Sequence, residues 1–225
     1  MSKRFAVSMV CFIVLFTATI KLKADLIGYT ASRTANSIVY QTNFTTGERV
    51  ALGESGIKYI ATLAISPKDN SLYAIGDLGS GAGPAPNVEG GKVYRINKDN
   101  GVGTRICLVG SHHIESMAFS ANGSQYWIRN YPGMYDLHRL PPNTDVKQVV
   151  GPRNALYPFT SISAFAINYD EKGIAWNSAT NELVEINLNN ASTSSLGHLT
   201  GNFGTFYSFS FGPNGILYGW NGKSI

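Results

Sequence analysis

Residues Ile60 to Asp77 (IATLAISPKDNSLYAIGD) set one apolar run, Leu63-Ala64-Ile65, against a second, Leu72-Tyr73-Ala74-Ile75, across a Ser-Pro-Lys-Asp-Asn turn. That is the signature of a β-hairpin. The same pattern returns as Ile114 to Asn130 (IESMAFSANGSQYWIRN), as Ile162 to Asn177 (ISAFAINYDEKGIAWN) and as Phe206 to Asn221 (FYSFSFGPNGILYGWN). A chain that repeats one hairpin at a near-constant period is built from copies of one supersecondary unit. This excludes most folds before any motif is weighed.

A second unit follows each hairpin. Val93-Tyr94-Arg95-Ile96-Asn97 leads through Lys98-Asp99-Asn100 to Gly101, then to an apolar strand ending at Gly110. Val39-Tyr40-Gln41-Thr42-Asn43 reaches Gly53 in the same way, Leu137-His138-Arg139-Leu140-Pro141 continues to Gly151, and Leu183-Val184-Glu185-Ile186-Asn187 continues to Gly197. From Val39 through Val93 and Leu137 to Leu183 the spacings are 54, 44 and 46 residues. Each repeat therefore carries four short strands, a to d. A four-stranded antiparallel unit repeating every ~40–50 residues reads as a β-propeller blade. The expected fold is all-β, with about four blades and possible incompleteness of the ring.

Burial is the physical reason. A small twisted sheet exposes two apolar faces, and blades packed face to face around an axis cover them. The large strand-b residues Tyr73, Trp127, Trp176, Tyr218 and Trp220 are expected to fill the space between blades. The expected division is a leader over 1–24, a partial blade over 25–53, blades over 60–110, 114–151 and 162–197, and a partial blade over 206–225. Strand b at Gly215-Ile216-Leu217-Tyr218 is followed by no strand c, so the expectation is a propeller cut short.

The first residues form a separate object. Ser2-Lys3-Arg4 is a basic start, Phe5 to Ile20 is a 16-residue apolar run, and Lys21-Leu22-Lys23-Ala24 places a small residue before Asp25. A run shorter than the roughly 20 residues needed to span a bilayer reads as a cleavable secretory signal, with export to the periplasm or the extracellular space. Of the chain's 18 basic residues, four lie in this leader, leaving 14 against 14 acidic ones. The mature charges alternate in sign, with no basic stripe for nucleic acid or an anionic membrane. Cys107 is then the one mature cysteine, in the apolar run Ile106-Cys107-Leu108-Val109, which rules out an internal disulfide and a cysteine-built zinc site.

The repeat resembles the tandem units of secreted bacterial β-propellers written LAFSPDGTLYA … LYRIDPTTGAVTLIG. The matching residues are Leu63-Ala64-Ile65-Ser66-Pro67 with Leu72-Tyr73-Ala74, Val93-Tyr94-Arg95-Ile96-Asn97, and Thr45-Thr46-Gly47. These motifs are structural and are shared by lactonase-like and lyase-like propellers and by other extracellular proteins. The resemblance implies fold and export and carries no catalytic residue onto this chain.

In such a ring the d-to-a and b-to-c connections gather on one face. Three of the four histidines, His112, His113 and His198, fall in d-to-a connections, as do Arg153 and Tyr157. Glu115 stands near the start of an innermost strand, and Asp77 opens the glycine-rich b-to-c loop. That loop lacks the Gly-Lys-Ser/Thr ending of a phosphate loop. The leading reading is a non-enzymatic module that binds a protein, a glycan or a surface component through this face, with no cofactor. The alternative is a hydrolase or lyase of lactonase-like type, with a divalent metal held by His112 or His113, Glu115 and His198. Self-association through open ends is a third reading. His138, which stands where Tyr94 stands in the previous repeat, reads as packing.

Overall fold

The repeated turns are built by short polar side chains. In Ser66 to Ser71 the Asp69 carboxylate accepts the Ser71 N–H at 3.2 Å, and Asn70 takes a left-handed φ of 55°. In the next repeat Asn122 Oδ1 accepts the Ser124 N–H at 2.8 Å beside Gly123 at φ 85°. Asn and Gly tolerate that backbone region with little steric cost, which is why they recur there. The computed structural model describes residues 27–76, 91–109, 114–131, 134–157, 161–201, 204–206, 208–212 and 215–221.

Seventeen strands result, with no helix among the described residues. β1 (Ile27–Ala31), β2 (Ile38–Asn43) and β3 (Arg49–Glu54) form a three-stranded sheet. β4 (Thr62–Ile65), β5 (Leu72–Gly76), β6 (Lys92–Ile96) and β7 (Gly103–Leu108) form the first four-stranded one. β8 (Ile114–Phe119), β9 (Gln125–Tyr131), β10 (Met134–Leu140) and β11 (Gln148–Val150) form the next. β12 (Ile162–Ile167), β13 (Lys172–Asn177), β14 (Glu182–Asn187) and β15 (Thr193–His198) form the last four-stranded one, the fourth sheet in chain order. β16 (Ser208–Phe211) and β17 (Leu217–Trp220) make a final hairpin. All pairings are antiparallel between sequence neighbours. Among the described residues β1 and β16 do not pair, so the first and last sheets stay separate.

The innermost strands β4, β8, β12 and β16 stand side by side in that order, as blades around a hub require. The core lies between sheets. Val39 of the first sheet packs with Leu72, Tyr94 and Ile96 of the second. Ile75 and Val93 pack with Met117 and Trp127. Leu137 and Val150 pack with Phe165 and Ile186. Ala164 and Trp176 pack with Phe206 and Phe209. Trp127 and Trp176 are fully buried, the latter edge-on to Phe206 at 5.1 Å between centroids. Cys107 is a free thiol packed against the second of these seams, and burial pushes its pKa up. Tyr218 departs from the expected filler role: it is 41% exposed.

Hydroxyl groups tie each innermost strand to the next. The Met117 N–H donates to Thr62 Oγ1 at 3.2 Å. Ser116 Oγ accepts the Phe165 N–H at 3.1 Å and donates to the Phe165 carbonyl at 3.2 Å, and Ser163 Oγ donates to the Phe206 carbonyl at 2.7 Å. Replacing Ser116 by Ala leaves a buried Phe165 N–H without its acceptor. A loss of about 1–2 kcal/mol is expected, read as a lower urea midpoint.

The outer rim is held by glycines. The backbone of Gly53 at the end of β3 lies so close to the β6–β7 turn that a Cβ there would overlap the Asn100 carbonyl oxygen. Gly151 after β11 meets the Asn190 carbonyl of the β14–β15 turn in the same way. Those turns are themselves fixed by an asparagine. Asn97 Oδ1 accepts the Asp99 N–H at 2.8 Å and Asn187 Oδ1 the Asn189 N–H at 2.9 Å.

Candidate functional site

The connections expected to share one face do touch. Ser37, between β1 and β2, accepts the Ser55 N–H at 2.9 Å through its carbonyl and donates its own N–H to the Ile57 carbonyl at 3.0 Å. Ser178, between β13 and β14, donates its N–H to the Ser161 carbonyl at 2.9 Å, and the two hydroxyls lie 2.6 Å apart.

The segment after β11 is the best-defined part of this face. Leu156 is fully buried among Leu137, Val150 and Ile162, and its N–H donates to the Tyr135 carbonyl at 3.2 Å. Asn154 is clamped twice: its N–H donates to Asp136 Oδ1 at 2.8 Å, and its Oδ1 accepts the Tyr135 N–H at 3.1 Å. The second oxygen of buried Asp136 takes Arg129 Nη2 at 2.7 Å. A carboxylate removed from water must be paired and hydrogen-bonded, and here both oxygens are used. On this anchored turn Arg153 and Tyr157 face solvent, with Tyr157 67% exposed.

His198, at the end of β15, is exposed, and its Nδ1 lies 3.0 Å from the Thr180 carbonyl. Glu115 sits in β8 as an inserted bulge residue between Ile114 and Ser116. His112, His113 and Asp77 lie outside the described residues, as does the Glu115 side chain. The structure thus brings Arg153 and Tyr157 onto one turn and places His198 on another blade. Among the described residues, no three His, Cys, Asp or Glu side chains converge as a metal site would need.

A polar group that the sequence reading treats only as packing stands deeper in the same blade. His138 is buried and stacked on Trp127, with ring planes 6° from parallel at 5.6 Å. Neither ring nitrogen of His138, nor the Trp127 indole N–H, has a hydrogen-bond partner among the described residues. Burial, reinforced by the Arg129 and Lys147 cations and only partly opposed by Asp136, lowers the His138 pKa to about 4. The imidazole is therefore neutral at physiological pH. Burial also lowers the pKa of Lys147, whose Nζ donates to the Val109 carbonyl at 2.5 Å.

No family model matches the sequence, and no curated protein matches it. Solved structures do match in fold. A chain of the nidogen/laminin complex superposes with a TM-score of 0.57 at 13% identity, over 83% of this chain and 66% of that one. TolB from Acinetobacter baumannii gives 0.54 at 15% identity, over 85% and 47%. A candidate gluconolactonase gives 0.58 at 14% identity, over 86% and 67%. The chain therefore spans about two thirds of the first and third and under half of TolB. At such identities the likeness is one of architecture, and the architecture it shares with the strands and seams described above is the β-propeller.

Proposed function

We propose that the chain is an exported, non-enzymatic binding module that recognises a partner protein through its loop face, with Arg153 and Tyr157 at the point of contact. The observation that carries this reading is the anchored turn between β11 and β12. Buried Leu156 and the Asp136–Asn154 clamp hold the backbone, so the backbone under the exposed Tyr and Arg has little conformational freedom left to lose. Tyr and Arg are the residue types that concentrate binding energy at protein interfaces. Structures of similar fold include one from a complex between two proteins, nidogen and laminin. Export is supported by the basic-then-apolar leader and the small Ala24 before Asp25. N-terminal sequencing of the protein made by its own host is expected to begin at Asp25.

The binding test is affinity capture from the extracytoplasmic fraction, with the native chain and the double variant Arg153→Ala/Tyr157→Ala compared side by side. A protein captured by the native chain and reduced tenfold or more by the double variant supports the reading. Equal capture by both contradicts it. Under the alternative metal-assisted reading, purified protein would carry a divalent ion that is lost in Glu115→Gln. Elemental analysis separates the two.

A further inference from the structure

The seam between the second and third sheets is built unlike its neighbours. In strands β3, β7 and β15 the register slips by one residue at the same place, leaving Leu52, Ile106 and Leu196 as extra residues opposite Val39/Tyr40, Val93/Tyr94 and Leu183/Val184. Leu52 is covered by the following blade, where it joins the cluster of Leu72 and Tyr94. Ile106 also has a complete blade beside it, yet it is 49% exposed.

The cause lies in the turn opposite. Where the neighbouring blades have a tight Asn-capped turn, the third has Pro141-Pro142-Asn143-Thr144-Asp145, leading to a strand β11 of three residues. Beside this turn the Lys147 ammonium donates to the Val109 carbonyl.

A trough of about 460 Å³ opens between these parts, lined by Tyr73, Ile106, Phe119, Leu140 and the Pro141–Asp145 turn. The Tyr73 and Phe119 rings pack against each other at 5.0 Å within it. Exposed Asp145 stands in the lining, and no cation among the described residues pairs with it. Most of the lining lies in the a-to-b and c-to-d turns and the strand ends beside them, with Val93 and Ile106 of β6 and β7 behind, and it shares no residue with the turn that carries Arg153 and Tyr157.

We propose that this trough is a second recognition site, taking an extended segment of a partner protein in which an aromatic or branched aliphatic side chain is followed or preceded by Lys or Arg. The apolar side chain fills the space over Ile106, Tyr73 and Phe119 that the regular turn would close. The basic neighbour meets Asp145, a carboxylate with no paired cation among the described residues. The cleft is at the small end of ligand-site volumes (~300–1,000 Å³) and open along one side, so an occupant keeps one face in water. An extended chain tolerates this because its backbone is solvated there. Pro141 and Pro142 fix their own φ angles, so the wall exists before the segment arrives.

The test uses a phage-displayed library of random linear peptides selected against the full mature chain. Synthetic copies of the enriched peptides are then titrated by fluorescence polarisation. Enriched sequences are expected to pair an apolar anchor with an adjacent Lys or Arg. Their affinity is expected to fall tenfold or more in Ile106→Ser, and about fivefold or more in Asp145→Lys, with the latter loss shrinking as salt is raised. Both positions are solvent-exposed, so an unchanged urea midpoint shows that the fold is kept. Three results overturn the proposal: no enriched peptide, enriched peptides with acidic residues beside the anchor, or equal binding to native chain and both variants. Because Arg153 and Tyr157 are untouched, failure here leaves the loop-face reading standing, and the reverse holds as well.

Discussion

Replacing Gly151 by Ala is expected to destabilise the protein by about 3–4 kcal/mol, or to prevent folding outright. Two costs combine. Gly151 has a φ of +73°, a conformation that costs an L-residue roughly 1–2 kcal/mol. Its Cβ would also overlap the Asn190 carbonyl, part of a turn pinned by the Asn187 cap, so the turn of the next blade would have to move. An overlap with backbone cannot relax as one with a flexible side chain does. Gly197 is the internal control. It lies near the end of β15 with a φ of +117° and has nothing within 4 Å of where a Cβ would stand, so Gly197→Ala carries only the conformational cost, about 1–3 kcal/mol, with no overlap added to it. Urea unfolding of both variants should show this contrast. Equal losses would mean that the seam between the third and fourth sheets is not packed as described.

The second large effect is a pH dependence. His138 titrates in the folded state at about 4, against an ordinary value of 6.5. The unfolded chain therefore binds a proton there at a pH where the folded chain does not. The stability this represents is fully present above pH 6.5, declines as pH falls below it, and is lost by pH 4, to a total of about 3 kcal/mol. His138→Phe keeps a flat ring over Trp127 and removes the titration. Between pH 7 and pH 4 the native chain should lose about 3 kcal/mol more than the variant, since carboxylates titrating in that range act equally on both. At pH 7 the variant should be at least as stable, because two buried nitrogens with no described partner are gone. Parallel curves for the two proteins would show that His138 is hydrated in the folded state.

The four hairpins and the glycines that end the outer strands were legible in the sequence because both depend on local chemistry. Asn, Asp and Gly set the turns, and alternation sets the strands. The propeller itself follows from the repeat. His138 reads as packing by comparison with Tyr94, and it is packed, but the charge penalty comes from Arg129 and Lys147, which reach it only through the folded sheet. The hydroxyl ties of the hub escape a repeat alignment for a physical reason. Thr62 and Ser116 share a column, but its next copy is Ala164, and the third tie comes from Ser163, the inserted residue of β12, so no one column carries all three. Pro141-Pro142 is visible as a break in the repeat, but that it uncovers Ile106 depends on the neighbouring blade. At the loop face, Arg153 and Tyr157 stand out by residue type. What holds them, Asp136 reaching Asn154, joins residues 18 apart and has no local signal.

The fold depends on sheets covering one another's faces around a hub, and nuclear Overhauser contacts between sheets measure that directly. The account predicts cross-peaks between the rings of Trp176 and Phe206, between those of Tyr73 and Phe119, and between the amide of Phe165 and the β-protons of Ser116. Contacts confined to strands of the same hairpin, with these inter-sheet peaks missing from an otherwise folded spectrum, would contradict it.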